Sequence, residues 1–256
     1  MSVLLSEFQN GILTLTLNRP EAINAFTTEL LRSLATALAK EASGPEVRVV
    51  LLRGAGRGFC SGQDLREFEG QEISYKGHLK NYQAVIENLV SLKKPVLAAI
   101  HGAAAGAGLS LALACDLRIA AADAVLSTGF SRIGLIPDAG MNYHLPRIVG
   151  HAKALELELL SPRLNAEQAL ALGLVNRVVP TEGFADEVSK LAAELANGPT
   201  KTFGLIKQAL YKSHHSTLEE MLEYEAILQD LAGRSADHKE GVQAFYEKRP
   251  PQFHGN

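Results

Sequence analysis

With 256 residues, 46% of them hydrophobic and 21% charged, and a mean hydropathy of +0.03, the chain has the balance of a globular protein that can bury a substantial core. A formal net charge of −3 and a pI near 6.3 give no electrostatic basis for nucleic acid or an anionic membrane as partner. Cys60 and Cys115 form no CxxC pair, and the opening MSVLLSEFQN has neither a basic nor a long apolar leader region, so a reducing cytoplasm is the expected location.

In chain order, residues 11–17 alternate apolar and polar side chains with the period of a half-buried strand, which Asn18-Arg19-Pro20 ends. The spacing of Leu30, Leu31, Leu34 and Leu38 predicts a helix over 28–41. Residues 47–52 are apolar on both faces and are expected to form a central strand. A helix over 79–92 and a strand over 95–100 follow. The apolar stretch 95–114 is broken by His101, Gly102, Gly106 and Gly108, so it reads as a buried strand entering a buried helix over 109–114, and no membrane span is expected. Short strands are expected at 117–120 and 175–179. Residues 1–198 thus form a β/α core, while 199–256 are helical, with a capping box at Thr217 and Glu220 and a further cap at Ser235. These last helices must bury their apolar stripes on the core or on a neighbouring subunit.

Two glycine-rich turns follow the two central strands: Arg53-Gly54-Ala55-Gly56-Arg57-Gly58-Phe59-Cys60-Ser61-Gly62-Gln63-Asp64-Leu65 and His101-Gly102-Ala103-Ala104-Ala105-Gly106-Ala107-Gly108-Leu109. One such turn alone is an ordinary tight strand-to-helix connection. Two after adjacent strands can aim backbone N–H groups at one carbonyl oxygen, as an oxyanion hole does. A dinucleotide site fails because Leu111 fills the third glycine position of Gly106-Ala-Gly108 and Asp116 comes too early for the ribose acid. A phosphate-binding P-loop lacks its Gly-Lys-Ser/Thr, Ser110 lacks a nucleophile elbow, and the eight histidines show no zinc spacing.

Asp138, in Ile133-Gly-Leu-Ile-Pro137-Asp138-Ala139-Gly140-Met-Asn142, is the acid/base candidate. After proline it also suits a helix N-cap, and the sequence does not separate the two. Between Ile136, Pro137 and Ala139 a desolvated carboxyl would have a pKa useful for proton transfer.

Asn18-Arg19-Pro20-Glu-Ala-Ile-Asn24-Ala25, Phe59-Cys-Ser61-Gly62-Gln-Asp64-Leu65, Gly102-Ala-Ala-Ala-Gly106-Ala-Gly108, Gly134-Leu-Ile-Pro137 and Ala169-Leu-Ala-Leu-Gly173-Leu174-Val175 resemble, in order, the signatures of the enoyl-CoA hydratase/isomerase (crotonase) superfamily. The resemblance implies an α/β fold, a spiral of ββα units with a helical C-terminal trimerisation region, assembled as a homotrimer or a hexamer made of two trimers. It implies an acyl-CoA substrate, no cofactor beyond the substrate's own coenzyme A, and no metal. The backbone N–H groups matching Gln63 and Ala107 would hold the thioester oxygen. Ala22, Phe26, Ser61, Gly62, Asp64, Leu65, Gly106, Phe130, Asn142 and Lys248 are the expected substrate contacts. Phe26, Phe68 and Phe130 are equally ordinary core residues, Lys248 a solvated charge, and Asn142 a polar helix face; Arg19, Arg53 and Arg57 either meet phosphates or lie at the surface.

Hydratases of the superfamily carry two glutamates, and Ser110 and Phe130 stand at the matching positions, so ordinary hydration is disfavoured. Asp138 matches an aspartate used by isomerases. The segment from Leu231 to Phe253, with the Gly-Leu-Ile-Pro-Asp run, is similar to isomerases that convert 1,2-epoxyphenylacetyl-CoA to an oxepin thioester and shift Δ3 double bonds to Δ2. The alternatives are another crotonase, such as an enoyl-CoA hydratase, or a non-catalytic CoA-ester-binding protein.

Overall fold

The computed structural model describes residues 2–70 and 72–256. Strands β1 (Leu4–Gln9) and β2 (Ile12–Leu17) form an antiparallel hairpin in which Gln9 faces Ile12 across the two-residue turn Asn10-Gly11. Both turn residues have positive φ, 51° and 77°, as a tight hairpin turn requires. Helix α1 (Thr28–Lys40) is capped by the Thr27 hydroxyl, which accepts from the Leu30 N–H. After it come β3 (Val49–Gly54), α2 (Tyr75–Ser91), β4 (Val96–Ile100), β5 (Ala103–Ala105), α3 (Ala107–Ala114), β6 (Leu117–Ala121) and β7 (Val125–Ser127). The chain continues through α4 (Met141–Val149), α5 (His151–Leu160), β8 (Leu164–Asn165), α6 (Ala166–Ala171), β9 (Arg177–Val179) and α7 (Phe184–Ala196).

One sheet has the order β1-β2-β3-β4-β6-β9 and is parallel from β2 onward; a small second sheet has the order β5-β7-β8. The strand β3 is apolar on both faces because both are covered. Val50 and Leu52 join the main core with α1, α2 and α3, whereas Leu51 packs with Leu97, Ile119 and α7 residues Val188, Leu191 and Ala192. Every residue of α3 is buried, which explains its lack of a polar face.

Three helices complete the chain: α8 (Thr200–Ser213), α9 (Leu218–Gly233) and α10 (Ala236–Glu247). The expected capping box forms between Thr217 and Glu220, and Ser235 caps α10 through the His238 N–H. α8 docks on the core through Lys207, whose Nζ donates to Asp116 and to the Leu89 carbonyl, both at 2.8 Å. Beyond it, Leu218, Leu222, Ile227, Phe245 and Tyr246 are all exposed. Among the described residues no helix is long and apolar enough to cross a membrane.

Candidate active site

The two glycine turns leave adjacent parallel strands and interlock. Cys60 and Ala104 form an isolated parallel bridge, with the Cys60 N–H donating to the Ala103 carbonyl and the Ala105 N–H to that of Cys60. Only glycine fits at 108, where a Cβ would stand 2.4 Å from the Cys60 carbonyl oxygen.

This contact fixes two peptide planes. The Phe26 N–H donates to the Gly62 carbonyl at 2.7 Å, and because C=O and N–H of a trans peptide are opposed, the Gln63 N–H points away from Phe26. The Ser110 N–H donates to the Gly106 carbonyl at 3.0 Å along α3, so the Ala107 N–H projects from the helix start. Neither N–H has an acceptor among the described residues. The two turns meet here: a Cβ on Gly62, whose φ is +99°, would lie 3.5 Å from the Ala107 nitrogen.

Both turns open on a cavity of about 460 Å³. Of the residues singled out in the sequence, it is lined by Ser61, Gly62, Gln63, Leu65, Phe68, Gly106, Ala107, Phe130 and Asp138. Asp138 is its one carboxylate among the described residues. Its Oδ1 is buried without a hydrogen-bond partner, and burial pushes its pKa up to about 6. The N-cap alternative is ruled out: α4 begins after Gly140, at φ 82°, and no side chain caps it. Ser110 is fully buried and Phe130 nearly so, and among the described residues no second carboxyl lines the wall.

Other expectations need correction. Asp64 does not line the cavity; it is buried and bonded to Arg19 (2.9 Å) and Arg66 (2.9 Å), which hold its carboxyl down to about 2, the Arg66 hydrogen bond contributing most. It also caps the short 3-10 helix Leu65–Phe68. Arg19 is thereby a structural residue, and Arg53 is tied to Thr16. Phe26 is fully buried core, edge-on to Tyr82. Ala22 offers its carbonyl to the Ser61 hydroxyl rather than its side chain to the cavity. Asn142 donates to the Pro137 carbonyl, not to the Asp138 carboxylate. Lys248 stands apart from these corrections: it closes α10 in a left-handed conformation and is exposed, away from this chain's own cavity, so its expected contact is one that a neighbouring subunit would complete.

The sequence did not single out the wall that α2 supplies. His78, Leu79 and Tyr82 face the cavity together with Ile73, Ile133 and Leu135. Tyr82 Oη donates to Gln63 Oε1 at 2.6 Å, and His78 Nε2 reaches the same oxygen at 2.9 Å. The Gln63 amide nitrogen faces the Glu67 carboxylate, so the oxygen must face the other two and His78 carries its proton on Nε2. Phe68, His78, Tyr82 and Phe26 stack edge-to-face in succession, with centroids 4.8, 5.5 and 5.6 Å apart. The cavity is therefore an apolar, aromatic-walled pocket with two free N–H donors and one unpartnered carboxyl.

Comparison with known proteins gives the family. A family profile described as enoyl-CoA hydratase/isomerase matches residues 7–256. The 1,2-epoxyphenylacetyl-CoA isomerase of Escherichia coli is 45% identical, covering 100% of this chain and 99% of that protein. A Rhodobacter capsulatus protein named "Probable enoyl-CoA hydratase" is 43% identical, covering 97% of this chain and 96% of its own length. Among solved structures, the enoyl-CoA hydratase of Bacillus anthracis superposes with a TM-score of 0.94 at 32% identity, covering 99% of this chain and 100% of that one. With its crotonase fold, this chain belongs to the enoyl-CoA hydratase/isomerase family.

Proposed function

We propose that this protein is an acyl-CoA thioester isomerase in which Asp138 carries a proton from one carbon of the acyl group to another. The observation that carries this is the lone, unpartnered carboxyl in the cavity, with Ser110 and Phe130 where a hydratase has glutamates. Hydration needs one group to activate water and another to protonate carbon; a proton shift needs only one. The thioester oxygen binds the N–H groups of Gln63 and Ala107. Ionised Asp138 takes a proton from the carbon next to the thioester, and the electron pair of that C–H bond delocalises onto the oxygen. Each N–H donor stabilises that enolate by about 10²–10³ in rate. Protonated Asp138 then returns the proton two carbons further along, and the double bond moves into conjugation.

The preferred substrate in this proposal is 1,2-epoxyphenylacetyl-CoA. Its ring epoxide opens electrocyclically to an oxepin without help from a side chain. The oxepin is a β,γ-unsaturated thioester, so the remaining step is the same proton shift that moves a Δ3 double bond to Δ2. The aromatic wall of Phe68, His78, Tyr82 and Phe130 and the likeness to the Escherichia coli isomerase support this choice. We further propose a cytoplasmic homotrimer or hexamer, supported by the exposed apolar side chains of α9 and α10, with Lys248 meeting coenzyme A across a subunit boundary.

A hydratase is the second reading, favoured by the name of the Rhodobacter relative. The test is to supply a 3-enoyl-CoA, a 2-enoyl-CoA and the ring epoxide and to weigh the products. Conjugated products of unchanged mass are expected from the first and third. A product heavier by one water from the 2-enoyl-CoA, with the 3-enoyl-CoA left unchanged, would overturn the isomerase in favour of the hydratase, and tight binding of all three without turnover would leave a non-catalytic CoA-ester binder.

A further inference from the structure

Among the described residues the Asp138 carboxyl has no hydrogen bond to aim it, yet a proton carrier that serves two carbons must be aimed. Its orientation must therefore come from the main chain. Residues 138–140 form an unusual turn: Ala139 has φ 49° and Gly140 φ 82°, two successive left-handed residues, of which the first carries a side chain that disfavours this conformation. The two peptides that flank Asp138 are each held by a side chain from a different helix. Asn142, on α4, donates its amide to the Pro137 carbonyl. Ser110, fully buried on α3, directs its hydroxyl at the Asp138 carbonyl (3.0 Å) and at the Gly106 carbonyl (3.3 Å). The Gly106 carbonyl belongs to the same peptide as the Ala107 N–H. One hydroxyl thus stands between the peptide that presents the oxyanion donor and the peptide that presents the base.

We infer that Ser110 and Asn142 are positioning residues that clamp the backbone on either side of Asp138 and set its reach relative to the thioester oxygen, an inference that rests on Asp138 being the proton carrier. Clamping the main chain has a chemical advantage over bonding the carboxylate. A donor placed on Oδ1 would stabilise the ionised form and weaken the base, whereas a donor placed on the carbonyls fixes direction and leaves basicity intact. The position at which a hydratase uses a glutamate is here filled by a residue that serves the other catalytic group.

The test uses Ser110→Ala, Asn142→Ala and the double variant with a 3-enoyl-CoA deuterated next to the thioester. Ser110→Ala removes one oxygen from a small buried site, and Asn142 is exposed, so both variants are expected to fold. Three quantities are read: kcat, KM, and the fraction of label that reappears at the distal carbon instead of being lost to water. Each single variant should lower kcat about tenfold with KM within about twofold, and the labelled fraction should fall, because a displaced carrier exchanges with solvent before it delivers. The labelled fraction does not depend on how much protein is folded, so instability cannot imitate this result. Wild-type kcat and wild-type label transfer in the double variant, beside an inactive Asp138→Asn, would overturn the clamp and leave the base standing. Full activity of Asp138→Asn would instead remove the base, and the clamp with it.

Discussion

Two aspartates near the cavity, Asp64 and Asp138, have opposite surroundings. Asp64 follows the first glycine turn and accepts from Arg19, from the Arg66 side chain and from the Arg66 N–H. Asp138 follows an apolar run of which Ile133 and Leu135 line the cavity, and among the described residues one of its oxygens has no partner. The first carboxyl is held down to about 2 and the second pushed up to about 6. Partnered charge builds the scaffold here, and unpartnered charge is left for chemistry.

The largest expected effect that tests this contrast is on stability. Replacing Asp64 by Ala leaves Arg19, whose side chain is only 18% exposed, without its carboxylate, and should cost about 3 kcal/mol in denaturant unfolding. A loss under about 1 kcal/mol would show that Asp64 is not the keystone of that turn. Asp138→Asn should act in the opposite sense and raise stability at pH 8 by about 1–2 kcal/mol, a figure reduced for solvent screening, because it removes a desolvated charge.

The pH dependence separates the two residues by sign. Asp64, with its pKa below the ordinary 3.8, stabilises the fold above that value, and this contribution is lost as pH falls from 3.8 toward 2. Asp138, with its pKa above 3.8, binds its proton more tightly in the folded state, so its penalty grows as pH rises from 3.8 to 6 and persists above. The difference in unfolding free energy between Asp138→Asn and the parent should therefore grow as pH rises from about 4 to 6 and level off above it. The smallest effect belongs to Arg66, whose side chain is 73% exposed: Arg66→Ala should cost under about 1 kcal/mol despite its hydrogen bonds to Asp64.

Much of the site was legible before any coordinates. The glycine turns and the adjacent central strands follow from local spacing, because each is fixed by a few consecutive residues, whereas local spacing left Asp138 between a helix cap and a base, and only the family resemblance favoured the base. The helix caps at Thr217 and Ser235 were legible for the same reason. Asp64 was misplaced because its partner Arg19 is 45 residues away, and nothing local distinguishes a salt-bridged aspartate from one facing a ligand. The α2 wall was missed because Tyr82 and His78 reach the site only through tertiary packing. That helix also starts at Tyr75 rather than 79, capped by Ser74, in a stretch where Gly77 weakens the helical signal. Strand β1 was missed although Asn10-Gly11 marks its turn, because five of its six residues are exposed and show no buried face.

The account depends most on Asp138 acting in its ionised form as the carrier of the proton. The most direct measurement is the rate of isomerisation of a 3-enoyl-CoA as a function of pH, in the parent and in Asp138→Asn, with exchange of the α-deuterium followed in parallel. The parent rate should rise through pH about 6 and level off above it. The variant should lose about 10²–10⁴-fold in both isomerisation and exchange. A variant that exchanges the α-deuterium at the parent rate, or a parent rate that does not change across pH 5–7, would contradict it.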